Sequence, residues 1–286
     1  MLVLWLGVCT WGRGQSASLA IDLKAGGTFA RWEGPLEDLG TRTLEDFTYR
    51  TDFHAGLGLL RAFNDFSGLR FELLYSRKGT RYRFNGPSYW FFPTNNGGEV
   101  FSIGTRKTEL SIRTNYLELP VLYYLRINRI EFSVGAGGGW LLGAQGQGTL
   151  SYSGISESGS AVAPFSIALD FDYLRDPLPP RPSTDGIPRL LDGELVRIPR
   201  QMSAYDEYVG ADGRYLRFRE VYLLGGVAFF LTRELYLDFR FNYGLTNITN
   251  PAQDVSLTRV NPDKSRILRD DFDRNMAWLV SAGIRF

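Results

Sequence analysis

The side chains that most often carry chemistry are scarce here. The sequence holds one cysteine, Cys9, and one histidine, His54. A single cysteine can form neither an intrachain disulfide nor a thiolate metal site. His54 lies two residues beyond Asp52. Nucleophilic catalysis needs a nucleophile, a base and an orienting group within hydrogen-bond reach. No serine is assignable opposite His54, so it reads as a hydrogen-bonded interior histidine. Val134-Gly135-Ala136-Gly137-Gly138-Gly139 is spaced superficially like a dinucleotide loop, but no helix follows and no βαβ unit surrounds it. Asp170, Asp172 and Asp176 offer oxygen ligands for calcium without the regular spacing of a calcium loop. Tyr89, Trp90, Phe91 and Phe92 form an aromatic cluster in what reads as a loop. Its function is sugar binding or packing of the loop base, and packing is favoured. The expectation is a chain without enzymatic activity, cofactor or metal.

The ionic residues matter more through their placement. Lys and Arg number 32 against 31 Asp and Glu, a net charge of +1, so no basic excess points to nucleic acid. Many of these charges fall on alternate positions of segments that are otherwise apolar. Asp22, Lys24, Asp52, His54, Arg70, Glu72, Lys78, Glu118, Glu131, Asp238, Arg240 and Arg285 all take the polar side of such segments. Buried charges persist only when paired, so this set reads as a structural salt-bridge network. Glu72 and Lys78 share a face six residues apart, ~20 Å along a strand. They must therefore find partners on neighbouring strands.

The elements that position these residues have a period of two. Eight strands are expected, at about 18–31, 49–63, 68–85, 107–126, 129–152, 216–231, 234–248 and 273–286. Tight turns, such as Ile127-Asn128 and Thr232-Arg233, alternate with long connections at about 32–48, 86–106, 153–215 and 249–272. That alternation describes an all-β, eight-stranded antiparallel up-and-down transmembrane β-barrel with short periplasmic turns and long extracellular loops. Aromatic residues near strand ends, Tyr49, Tyr82, Phe84, Tyr116, Tyr152, Tyr215 and Phe218, read as interfacial girdles. Pro120 marks a bulge or a break in pairing. The terminal Phe286 reads as an outward-facing assembly signal. Met1 to Val8 is the apolar core of an export signal without its cationic start. The expected division is 1–17 as signal peptide and 18–286 as barrel domain.

Four segments, in order, carry a family likeness: Glu72-Leu-Leu-Tyr-Ser-Arg-Lys-Gly79, Tyr116-Leu-Glu-Leu-Pro-Val-Leu-Tyr-Tyr124, Ser133-Val-Gly-Ala-Gly-Gly-Gly-Trp-Leu-Leu-Gly143 and Tyr243-Gly-Leu-Thr-Asn-Ile248. Together they resemble the PorT-like outer-membrane β-barrel family, also labelled "porin family" or outer membrane protein beta-barrel domain. The resemblance implies an eight-stranded barrel in the outer membrane of a Gram-negative bacterium, without general enzymatic activity. One branch of that family takes part in type IX protein secretion.

The function expected from the whole is an integral, non-enzymatic outer-membrane protein with a structural or interaction role through its outer loops. A secretion-system component and a narrow small-solute channel are the alternatives. Expected partners are outer-membrane lipid and lipopolysaccharide, the barrel-assembly machinery during insertion, and secretion or surface partners. The 153–215 loop is acidic, with ten acids against six bases, and reads as a surface platform or a solvated lid. Within it, Phe165-Ser-Ile-Ala-Leu169 and Leu195-Val-Arg-Ile198 are apolar enough to extend the strands as a hairpin.

Overall fold

The computed structural model describes residues 19–38, 40, 42–178, 186–207 and 213–286. The expected signal segment, with Cys9, lies outside them. The described chain is all β. Its strands are β1 (Leu19–Glu33), β2 (Glu45–Ala62), β3 (Ser67–Pro93), β4 (Glu99–Ile127), β5 (Ile130–Ser156), β6 (Ala161–Asp172) and β7 (Gly186–Leu191). They continue with β8 (Glu194–Pro199), β9 (Gln201–Met202), β10 (Arg219–Phe230), β11 (Leu235–Gly244), β12 (Val255–Val260), β13 (Arg266–Leu268) and β14 (Arg274–Arg285).

Eight of these strands pair antiparallel in a closed ring: β1, β2, β3, β4, β5, β10, β11, β14 and back to β1. Period-two alternation dictates the two faces. Along β11, Leu235, Leu237 and Phe239 are exposed, while Tyr236, Asp238, Arg240 and Asn242 are buried. Closure leaves the ring without an unpaired edge. Three short connections (63–66, 128–129 and 231–234) and both ends of the described chain lie at one end. There Phe286 N donates to Ile21 O and Ile21 N to Phe286 O, at 2.9 and 3.1 Å. Asn128 takes a left-handed φ of 56° in the tightest turn.

Inward glycines make room for large neighbours. A Cβ on Gly137 would strike the Tyr222 ring, and one on Gly283 the Tyr236 ring. Opposite Pro120 the β3–β4 ladder lapses between Phe71↔Val121 and Leu74↔Glu118 without changing register. Proline has no N–H to give the ladder, so Pro120 is a break and not a bulge. The bulge falls instead on β5, where Leu142 is the extra residue between the pairs Asn115↔Gly143 and Tyr116↔Leu141.

Beyond the ring, β3, β4 and β5 keep going. They hold 27, 29 and 27 residues, each ~90 Å when extended. The expected 86–106 loop is therefore the end of a β3–β4 hairpin, which turns at 94–98. The described part of the 153–215 connection is also structured. Phe165–Leu169 lies in β6, which pairs with β5, and Leu195–Ile198 lies in β8, which forms a hairpin with β7. The β7–β8 turn uses Asp192 and Gly193 at φ 53° and 82°, the left-handed pair of a two-residue hairpin. In the 249–272 connection, β12 and β13 form a further hairpin. The ends of β3, β4 and β5 and strands β6 to β9 share one apolar core that includes Trp90, Phe92, Tyr152, Phe165, Ile167 and Val196. The β12–β13 hairpin joins them through Ser88 and Tyr89, whose hydroxyls donate to Leu257 O and Ser256 O. We call this part the cap.

The cap changes the reading of the aromatic residues. Phe84, Tyr116 and Tyr152 are buried and not on an outer girdle. They share inward parity with Leu74, Glu118 and Leu150 on their own strands. Only Tyr49 and Phe218 of the expected girdle are strongly exposed. Tyr89, Trp90, Phe91 and Phe92 belong to strand β3 and not to a loop. Trp90 and Phe92 enter the cap core, and Tyr89 donates its hydroxyl to Ser256 O at 2.8 Å.

Candidate functional site

Inside the ring the ionic side chains meet in three tiers. Next to the short turns, Arg285 holds Asp22 at 3.0 Å and Glu131 at 2.8 Å, and Arg70 reaches the same two carboxylates. In the middle tier Glu72 takes Lys24 at 2.9 Å and Arg240 at 2.7 Å, and Arg240 also holds Asp238 at 2.8 Å. In the third tier Lys78 lies between Glu118 and Glu220. Apart from Arg285 at the rim, none of these residues is more than 6% exposed. Six carboxylates thus face five cations. Glu72 and Lys78 indeed lie in separate tiers, each served by other strands.

Glu220 was not singled out in the sequence. It is the second residue of β10, after Arg219, where charged residues at a strand start carry no pattern of their own. Asp52 stands apart from the tiers: its cations are Arg50 at 2.6 Å and Arg113 at 3.7 Å. The β2–β3 ladder shifts register between Tyr49 and His54, which separates Asp52 from the paired stretch below.

His54 is buried in the ring. Its Nδ1 lies 2.9 Å from Thr28 Oγ1 and its Nε2 2.7 Å from Ser281 Oγ. The expectation that no serine faces His54 is therefore corrected: Ser281 does, 227 residues away in sequence. The group on the other ring nitrogen is a threonine hydroxyl, which orients the ring but does not stabilise an imidazolium as a carboxylate would.

Between the ring and the cap core lies a partly enclosed cavity of about 80 Å³. One water needs roughly 10–15 Å³ of such space, so the cavity is several waters in size. Two aromatic banks line it. Phe47 packs Trp32 at 6.1 Å and Tyr82 at 5.2 Å between centroids, and Tyr173 stacks on Tyr215 at 5.7 Å. Arg106 at its wall is held by both oxygens of Glu207, at 2.7 and 2.6 Å. Arg269 is held by Glu45 at 3.0 Å and Asp271 at 2.7 Å.

Asp254, Asp271 and Asp273 also line the cavity, with oxygens within 4.8 Å of one another. Burial pushes the Asp254 carboxyl up to about 9, helped by its hydrogen bond to Asp271 and by the charge of Asp273, against Arg269. Burial and the nearby Asp271 push Asp273 up to about 6. Too many carboxylates share one guanidinium there. No sequence pattern pointed to this cluster, because a hairpin and two connections assemble it. By contrast, Asp170, Asp172 and Asp176 act as turn and strand acceptors: Asp172 caps Leu174 and Arg175, and Asp176 accepts from Ala204 N at 2.8 Å.

A clamp fixes the β12–β13 hairpin over this region. Glu37, in the β1–β2 connection, accepts from Leu257 N at 2.9 Å, Thr258 N at 3.2 Å, and the hydroxyls of Ser256 and Thr258.

Residues 14–250 match the family model described as "Outer membrane protein beta-barrel domain". No curated protein matches. Among solved structures, the chain is similar to Ail, the attachment invasion locus protein of Yersinia pestis, at 12% identity, covering 93% of this chain and 98% of that one with a TM-score of 0.33. It is similar to Neisserial surface protein A at 13% identity, covering 95% and 98%, TM-score 0.32. For OprG from Pseudomonas aeruginosa the values are 11%, 96%, 98% and 0.33. The assignment rests on the family match.

Proposed function

The chain belongs to the outer membrane protein beta-barrel domain family and is located in the outer membrane, and from that premise we propose that it is a surface recognition protein. The ring is an eight-stranded transmembrane barrel that serves as an anchor. Its outward apolar rows, such as Leu235, Leu237 and Phe239, face lipid, and its lumen is closed by ion pairs. The cap is the recognition head, on the extracellular side. Phe286, exposed at the β1–β14 seam, is the signal read by the assembly machinery.

The observation that carries this reading is the filled ring. Buried charges from β1, β3, β4, β5, β10, β11 and β14 meet at its centre. Eight-stranded barrels are just wide enough to be filled by their own side chains. The organised cap is the second support, since binding residues are disproportionately carried on the connections that a rigid scaffold positions. A catalytic role has little support: His54 and Ser281 are buried within the ring, and their third partner is Thr28.

Planar bilayers test the anchor. The refolded protein is expected to be silent, and discrete single-channel currents overturn the closed lumen. Replacing 157–215 by a short turn tests the head. The barrel is expected to keep its heat-modifiable migration, while capture of surface material from outer membranes is lost.

A further inference from the structure

Trp32 stands at the cavity with a donor that has no acceptor. It is 2% exposed, and its indole N–H makes no hydrogen bond. A buried donor left unpaired loses its hydration without compensation. At the same cavity the Asp254–Asp271–Asp273 cluster is rich in acceptors, and the walls are aromatic. These three features together restrict the ligand. An aliphatic molecule would leave both the donor and the carboxylates unanswered. An anion, sulfated or phosphorylated, would meet three carboxylates. A simple cation would satisfy the acids and still offer nothing to the indole N–H. A hydroxyl group both donates and accepts.

We propose that the cavity binds a neutral saccharide ring, with one hydroxyl accepting from Trp32 Nε1–H and others donating to Asp254 and Asp273. The apolar ring face lies against the Phe47–Tyr82 or the Tyr173–Tyr215 bank. Small-molecule sites commonly combine apolar walls with a few placed polar groups in this way. The inference rests on the cap being a recognition head and names what the head recognises.

The test is calorimetric titration of the full chain in detergent micelles with D-glucose, D-galactose and D-mannose, in parallel with tryptophan fluorescence. At least one of the three is expected to bind saturably. Trp32→Phe keeps the ring and removes the donor, and is expected to weaken that binding roughly three- to tenfold, one hydrogen bond's worth. Asp273→Asn is expected to weaken it about tenfold, as loss of a charge-assisted acceptor should. Heat-modifiable migration reports that each variant is folded. Three results overturn the proposal: no binding of any of the three sugars, binding unchanged in both folded variants, or saturation by calcium chloride, spermidine or a sulfated disaccharide in place of neutral sugar. Blank titrations with silent bilayers defeat this inference alone. Channel currents with saturable sugar binding defeat the closed-lumen reading and leave this one standing.

Discussion

Lys24 Nζ on β1 lies 2.9 Å from both carboxylate oxygens of Glu72 on β3, and the strand between them, β2, offers only glycines to the crossing. Gly56 stands beside Lys24 and Gly58 beside Glu72. The pair therefore spans a strand that contributes no side chain at that level. Glu72 also answers Arg240 and Arg70, which makes it the hub of the middle tier.

Removing the hub leaves Lys24 and Arg240 to share Asp238 and takes one of three carboxylates from Arg70. Glu72→Ala is expected to cost about 3–5 kcal/mol, the range for breaking a buried pair by deleting one partner. Urea unfolding in detergent micelles, followed by tryptophan fluorescence, measures it. A loss below about 1 kcal/mol, the value of an exposed pair, would mean the tier is hydrated.

Gly58 gives a graded test of the crossing. A Cβ there would stand 3.3 Å from Asp22 Cβ and 3.5 Å from Glu72 Cγ. Gly58→Ala is expected to be tolerated, at about 1 kcal/mol or less. Gly58→Leu must push the ion pair apart and is expected to cost about 1–3 kcal/mol, as overpacking does. Equal effects of the two changes in the same urea assay would contradict a close crossing.

The cap core is predicted to fail separately from the ring. Phe92 is buried among Trp90 and Phe165, at centroid distances of 6.2 and 5.9 Å. Phe92→Ala is expected to remove about 3–5 kcal/mol from the cap. Hydrogen exchange should rise in β6 to β9, while β10, β11 and β14 stay protected. Uniform loss across both would show one cooperative unit.

Two carboxylate groups in the cap give opposite pH slopes. Burial would raise the Glu37 pKa, but the hydrogen bonds from Ser256, Thr258 and Leu257 outweigh it and hold the pKa below the usual range. A lowered folded pKa gives stability present above the unfolded value and lost as pH falls through the folded one. The clamp is therefore expected to release on acidification below about 4. Asp254 and Asp273 are raised, to about 9 and about 6. They face Asp271 and Arg269, and Glu45 also faces Asp273. Their contribution is complete below the unfolded value and fades as pH rises through the folded ones, at up to ~1.4 kcal/mol per pH unit for each proton. Proteolysis of the β12–β13 hairpin across pH 3–10 should show a protected window at mildly acid pH. Asp254→Asn should flatten its alkaline side, and an unaltered alkaline limb would reject the assignment.

The ring was legible in the sequence because one face of each strand is apolar and the other polar. Rows such as Leu235, Leu237 and Phe239 against Asp238 and Arg240 leave only one assignment of period and parity. The paired ions followed from the same parity, except Glu220, which no alternation framed. Of the cap only the strand-forming pieces Phe165–Leu169 and Leu195–Ile198 were legible; its core was not, because its strands are apolar on the inside. Phe84, Tyr116 and Tyr152 look alike in sequence whether they face lipid or a second core, and only the register across β3, β4 and β5 separates the two. The His54–Ser281 contact joins positions 227 residues apart, and the acidic cluster closes only when the β12–β13 hairpin brings Asp254 back to Asp271 and Asp273; no local pattern announces either meeting.

Because β3, β4 and β5 run from the ring into the cap without interruption, the cap is built on the same sheet as the ring. Under the proposed recognition role, whatever the cap grips is held at a set height and bearing relative to the ring, with no tether to swivel on. A pull on that cargo would load three strands lengthwise, in shear, the direction in which ladders of parallel-acting hydrogen bonds yield last.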